Sequence, residues 1–227
     1  IEELDKEIKM MIGKYNFGGI ILFSENINSN AQTKKLIEDI QLISKVPSFI
    51  AIDEEGGKVS RLTHSPNMKA TKLPGNGAIG KSGNTQNAYD TAKIIADELT
   101  ELGFNLNFAP VADINTNPNN PVIGDRSFGS DPEMVAAMTA AMTRGFQENG
   151  VSATLKHFPG HGDTSFDTHT GAVSVSHDLE RLRQVELIPF ESGIQEGADA
   201  IMTAHIQVPN VTGDNVPSTF SHYMLTE

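Results

Sequence analysis

The chain has 227 residues, 38% of them hydrophobic and 20% charged, which is enough apolar material for a substantial globular core. Its net charge of −12 disfavours nucleic acid and anionic membrane surfaces as partners, and no apolar run approaches the ~20 residues of a membrane span. Zero cysteines exclude disulfides, thiolate metal sites and a cysteine nucleophile, and leave both cytoplasm and cell exterior open as compartments.

The opening Ile1-Glu2-Glu3-Leu4 is acidic, is no signal peptide and lacks a starting Met, so a processed or trimmed product is expected. Residues 1–15 predict an amphipathic helix with Leu4, Ile8, Met11, Ile12 and Tyr15 on one face. Gly18-Gly19 opens Ile20-Ile21-Leu22-Phe23, an apolar run suited to a strand buried on both faces. Residues 31–44 repeat the helical pattern through Leu36, Ile37, Ile40 and Ile43, and Phe49-Ile50-Ala51-Ile52 forms a second strand ending in Asp53-Glu54-Glu55-Gly56-Gly57. Residues 58–84 carry no periodicity. A helix returns over 85–102, with Ala88, Ala92, Ile95, Leu99 and Leu102 on one side, and Gly103 stops it. A third strand over 104–111 ends at Asp113. After a loop over 115–129, Asp131-Pro132 starts a helix reaching Asn149, with Met134, Met138, Met142 and Phe146 turned inward as core. Strand four covers 151–155. Asp178 caps a further helix that Pro189 interrupts or restarts, strand five covers 198–204 and ends at His205, and another helix begins at Ser221.

Single apolar strands alternating with amphipathic helices imply a parallel sheet with right-handed crossovers. Polar clusters follow each strand: Ser24 and Glu25, residues 53–57, Asp113, residues 156–169, and His205. A (β/α) barrel brings such ends to one face, where active sites sit; an open doubly wound sheet gathers them less readily. The expected fold class is therefore α/β, a (β/α)8 TIM-type barrel of which only about five β/α units are present.

Chemistry concentrates in residues 156–169, Lys-His-Phe-Pro-Gly-His-Gly-Asp-Thr-Ser-Phe-Asp-Thr-His. Pro159, Gly160 and Gly162 argue against a regular helix or strand, so a shaped loop is expected. His157, His161, Asp163, Asp167 and His169 include enough ligand types for a metal, but Pro159 and Gly160 break the helical spacing such a site would use. Asp167 and His169 instead suit acid–base work: in a turn the carboxylate can fix the imidazole tautomer and raise its basicity. Asp53, Lys156 and His157 suit hydrogen bonds to hydroxyls. Arg126 faces either a ligand or a salt bridge to Asp125 or Asp131, and His205 either faces the ligand or supports a residue that does. His64, His177 and His222 are expected at the surface. Gly75-Asn76-Gly77-Ala78-Ile79-Gly80 spells the dinucleotide fingerprint, but no strand precedes it, and a plain loop is expected.

Lys156-His157-Phe158-Pro159-Gly160-His161-Gly162-Asp163-Thr164 followed by Asp167-Thr168-His169 closely resembles the signature of the β-N-acetylhexosaminidases of glycoside hydrolase family 3. Gly18 to Phe23, Ile52 to Gly57, Leu73-Pro74-Gly75-Asn76, Phe108 to Asp113, Asp125 to Gly129 and Met202 to His205 follow in the family's order, so the resemblance covers essentially the whole chain. It implies a retaining exo-β-N-acetylglucosaminidase acting on peptidoglycan fragments (muropeptides) or chitooligosaccharides, with no metal or organic cofactor. By the same resemblance His169, supported by Asp167, is the acid/base, and Asp53, Arg126, Lys156 and His157 bind sugar hydroxyls. The family's nucleophile lies in a segment resembling Gly-Phe-x-Gly-x-Val-x-Ser/Thr-Asp, which does not occur here, and residues upstream of Ile1 are also expected to be missing. Residues 1–227 are thus expected to be an incomplete N-terminal barrel domain, inactive alone because retention needs a nucleophile opposite the acid/base. Competing readings are a non-catalytic sugar- or peptidoglycan-binding module, and a phosphorylase or β-glucosidase on the same scaffold.

Overall fold

The computed structural model describes residues 1–167, 171 and 173–226. Helix α1 (Lys6–Tyr15) is capped by Asp5, whose carboxylate accepts the Ile8 N–H at 2.8 Å. It rests on the core through Ile8 and Ile12, while Met11 and Tyr15 are exposed; the buried stripe is narrower than the periodicity implied. Then come β1 (Gly19–Ile21), α2 (Asn30–Ile43), β2 (Phe49–Ile52), α3 (Asn76–Lys81), α4 (Thr85–Leu102), β3 (Leu106–Asn107), α5 (Pro132–Gln147), β4 (Ser152–Phe158) and β5 (Val173–Ser174). The described chain finishes with α6 (Leu179–Gln184), α7 (Ile188–Gln195), β6 (Ala200–Thr203), β7 (Ile206–Gln207), α8 (Pro209–Thr212) and α9 (His222–Thr226).

Five strands form one parallel sheet in the order β1-β2-β3-β4-β6. Each strand lies beside the one before it, so there is no reversal of order of the kind a doubly wound sheet has at its switch point. The sheet is also curled. Ile21 at the end of β1 and Thr203 at the end of β6 line the same cavity, although four strand spacings in a flat sheet would part them by about 19 Å. The result is an α/β half-barrel. Helices α4, α5 and α7 pack side by side outside it, and the inward Met138, Met142 and Phe146 of α5 join Ala92, Ile95 and Leu99 of α4 in the main core.

Three expectations change. Strand β4 runs to Phe158, so Lys156 and His157 belong to the strand and not to a loop; Pro159, which has no N–H to give a ladder, ends it. Its register against β6 shifts between Lys156 and Phe158, and such an irregularity re-aims side chains so that both Lys156 and His157 line the cavity. Strand β3 is only two residues long because Phe104 is buried in the core straight after the left-handed Gly103 cap, and Pro110 breaks the ladder beyond. The glycine pattern at 75–80 forms α3 and not a loop. A Cβ on Gly80 would sit 1.8 Å from the Phe128 carbonyl oxygen, so these glycines serve close packing of a short helix on the 124–129 segment. The small parallel pair β5–β7 is too short to leave a periodicity.

Candidate active site

The site is built where β2, β3 and β4 end. Lys156, at 1% exposure, would be costly to bury unpaired. Its Nζ donates to Asp53 Oδ1 at 2.8 Å and lies 2.6 Å from Glu55 Oε1. Glu55 in turn takes a two-point contact from Arg126, with Nη2 to Oε1 at 2.8 Å and Nε to Oε2 at 3.0 Å. Arg126 therefore pairs with neither of its expected aspartates: Asp125 lies 3.5 Å from Lys58, and Asp131 caps α5. Burial alone would push the Glu55 carboxyl up, but Lys156 and Arg126 prevail and hold it below its ordinary value.

Asp113 is completely buried. It accepts from the backbone N–H of His157 at 3.2 Å and of His161 at 2.7 Å, and its Oδ2 is 2.6 Å from His157 Nδ1. Burial pushes this carboxyl up, and the His157 imidazole and these hydrogen bonds outweigh it and hold it down. His157 Nε2 meets Arg126 Nη2 at 3.3 Å. Because a guanidinium only donates, Nε2 accepts and Nδ1–H donates to Asp113.

A cavity of about 390 Å³ opens above these residues, bordered by Asp53, Arg61, Lys156, His157, His161 and His205. His205 is exposed and stacks on Phe220 with ring centroids 6.3 Å apart. Arg61 was invisible to pattern reading, since it lies in the stretch without periodicity. It is placed by buried Glu54, whose Oε2 accepts the N–H groups of Arg61 at 2.8 Å and Leu62 at 3.0 Å; burial, the dominant influence, pushes the Glu54 carboxyl up. The Arg61 Nη2 is 3.5 Å from Asp53 Oδ2, and its buried Nε has no hydrogen-bond partner among the described residues. The only sequence signal for it was an arginine in the turn that follows the acidic end of β2.

The 161–165 segment is held from the loop after β3. Asn120 Nδ2 donates to the His161 carbonyl at 2.8 Å, Asn117 Nδ2 to the Thr164 carbonyl at 3.1 Å, and Thr116 Oγ1 to Asp163 Oδ1 at 2.8 Å. His161 Nδ1 lies 2.7 Å from Thr164 Oγ1, and burial pushes its imidazole down. For the metal reading, among the described residues no group of three histidine or carboxylate side chains converges to hold an ion. Asp167 is partly buried; His169, its expected dyad partner, lies outside the described residues. His64 and His222 are exposed, but His177 is not a surface residue: its Nε2 is buried, 3.0 Å from Asp163 Oδ2.

The glycosyl hydrolase family 3 N terminal domain family matches residues 2–227. Beta-hexosaminidase A of Pseudoalteromonas piscicida is 41% identical over 99% of this chain and 40% of its own length, and the beta-hexosaminidase of Xylella fastidiosa strain M23 is 38% identical over 91% of this chain and 61% of its own length. The chain thus spans about half the length of these curated relatives. A glycoside hydrolase family 3 beta-N-acetylglucosaminidase from Paenibacillus sp. FPU-7 superposes with a TM-score of 0.94 at 45% identity, covering 99% of this chain and 43% of that one. NagZ from Neisseria gonorrhoeae, solved in complex with N-trifluoroacetyl-D-glucosamine, superposes at 0.90 with 33% identity, covering 99% of this chain and 66% of that one.

Proposed function

Because the chain belongs to glycosyl hydrolase family 3, we propose that its cavity is the sugar subsite of a retaining exo-β-N-acetylglucosaminidase acting on peptidoglycan fragments or chitooligosaccharides, and that residues 1–227 are part of that enzyme's N-terminal barrel domain. The observation carrying this reading is the convergence of Asp53, Arg61, Arg126, Lys156 and His157 on one cavity. Three carboxylates (Asp53, Glu55, Asp113) face three fixed cations (Arg61, Arg126, Lys156). The balance suits an uncharged, hydroxyl-rich ligand: the charges are held by their neighbours, and Asp53, Arg61, Arg126 and Lys156 border the cavity where a ligand could meet them. Asp53 would accept from sugar hydroxyls, while Arg61, Arg126 and Lys156 would donate, with His157 and His205 at the rim.

In this reading His169, oriented by Asp167, protonates the departing glycosidic oxygen and later takes a proton from the attacking water. The carboxylate nucleophile that retention requires would come from outside these residues, so turnover is a property expected of the complete gene product and not of this chain alone. The test is Asp53→Asn, which keeps shape and removes charge. It is expected to lower kcat/KM for an aryl N-acetyl-β-glucosaminide by ~10²–10³, as losing charge-assisted hydrogen bonds does, and also to lower the melting temperature, because Lys156 and Arg61 lose an anion. A loss below about threefold, less than 1 kcal/mol of transition-state binding, would sink the assignment.

A further inference from the structure

We propose that His177 and Asp163 form a cross-tie that positions Asp167 for the acid–base step. The proposal rests on the reading of Asp167 and His169 as the acid/base pair.

Asp163 stands where the chain leaves the turn after β4, and His177 where it comes back after β5. The two close the excursion with one contact, His177 Nε2 to Asp163 Oδ2 at 3.0 Å. The other Asp163 oxygen is taken by Thr116 at 2.8 Å. On its far side the same imidazole nitrogen is 3.7 Å from Glu186 Oε1. Nε2 is buried yet makes no well-aligned hydrogen bond, and it lies within 4 Å of both carboxylates. Glu186 is 3% exposed and is held by Arg181 through Nη2 at 2.9 Å and Nε at 3.3 Å. The stem of Glu186 fits under Gly160, where a Cβ would stand 2.9 Å from it and where φ is +126°. Asp163, Glu186 and Arg181 are the charged groups around His177, and they come from the turn after β4, the α6–α7 junction and α6. The tie therefore joins the loop after β3, the turn after β4 and the α6–α7 junction.

A partly exposed polar cluster of this kind adds little net stability, because solvent screens its charges. What it does supply is a fixed separation between Asp163 and His177, on either side of Asp167. Asn117 and Asn120 already pin residues 161–164, so the tie acts on the part beyond them. That part carries Asp167.

The test compares His177→Phe, which keeps a ring and removes the nitrogens, with Asp163→Asn. In the complete gene product, kcat/KM for a phenyl N-acetyl-β-glucosaminide is expected to fall ~10–100-fold in each variant, and that for the 2,4-dinitrophenyl analogue by less than about threefold, because misplaced acid catalysis matters most for a poor leaving group. The loss should lie in kcat with KM unchanged. The double variant should be no worse than either single one, as for two parts of one unit. In the 227-residue chain itself, the backbone amides of Ser165, Phe166 and Asp167 should exchange ~10-fold faster in His177→Phe while those of β4 are unchanged. Unchanged exchange, or equal loss on both substrates while His169→Ala still discriminates between them, overturns the cross-tie. Equal loss in His169→Ala itself would instead overturn the acid–base reading, and the exchange result would then decide the tie alone.

Discussion

Replacing His169 with alanine in the complete gene product is expected to lower kcat/KM by ~10²–10⁴ for glycosides with poor leaving groups, the range general acid catalysis contributes. Activated aryl glycosides need less protonation, so their glycosylation step should lose far less. Pre-steady-state rates for a matched pair of substrates separate the two steps. Equal first-step losses would remove His169 from the role. The environment nearby fits the proposal better than it fits a second candidate. Of the other histidines of the motif, His161 is buried at 2% exposure, and His157 has Nδ1 held by Asp113 at 2.6 Å and Nε2 taken by Arg126 at 3.3 Å. His157 also faces the fixed positive charge of Arg126.

Glu55→Gln is the substitution expected to cost the most stability. It leaves Arg126 without its anion and Lys156 with Asp53 alone. Breaking a buried pair from one side costs about 3–5 kcal/mol, which for a chain of this size lowers the melting temperature by roughly 10 °C. A loss below ~1 kcal/mol would mean that the pair is solvated, as surface pairs are. The same carboxylate shapes the acid limb. Glu55 and Asp113 both have folded-state pKa values below their ordinary ones. Their contribution is fully present above the unfolded values, ordinarily 4.5 and 3.8, and is lost as pH falls through the depressed folded values. His161, also held below its ordinary 6.5, adds a gentler loss on acidification from about pH 6.5, because the folded state resists its charging. Glu54 works the other way: its raised pKa means that acidification relieves a buried charge. The net expectation for the parent chain is a stability curve that falls below about pH 4.5, and in Glu55→Gln a shallower fall by up to one proton's worth, ~1.4 kcal/mol per pH unit. Urea denaturation at a series of pH values measures both.

Much of this arrangement was legible in the residues. The alternation of strands and helices, the Asp caps of α5 and α6, and the inward face of α5 follow from short-range rules, because periodicity and capping are local chemistry; β1, expected to be buried on both faces, is only partly covered. What escaped notice depends on distant partners. Arg126 sits between Asp125 and nearby Asp131, and proximity in sequence pointed to those; its true partner, Glu55, arrives from another strand. Arg61 had no pattern around it, since its position is set by a buried carboxylate accepting two backbone N–H groups. His177 looked like an isolated surface histidine because its partners, Asp163 and Glu186, meet it only in the folded chain. The glycines at 75–80 spelled a motif whose letters were right and whose setting was wrong. Strand β4 outran its expected end because a strand tolerates Lys and His when the residues facing them are acids.

The strand order has a consequence for how the molecule comes into being. Each added strand of the main sheet pairs with the main-sheet strand made before it, β6 with β4 while β5 goes to the small pair, so the sheet can lengthen by one strand at a time as the polypeptide emerges, without waiting for a distant edge. The ammonium of Lys156 meets Asp53 only when β4 docks; until then the carboxylates of β2 stay hydrated and the cavity does not exist. Pulse-labelled hydrogen exchange should therefore find protection on β2 before β6. The cavity takes shape only when carboxylates made early meet a lysine made late.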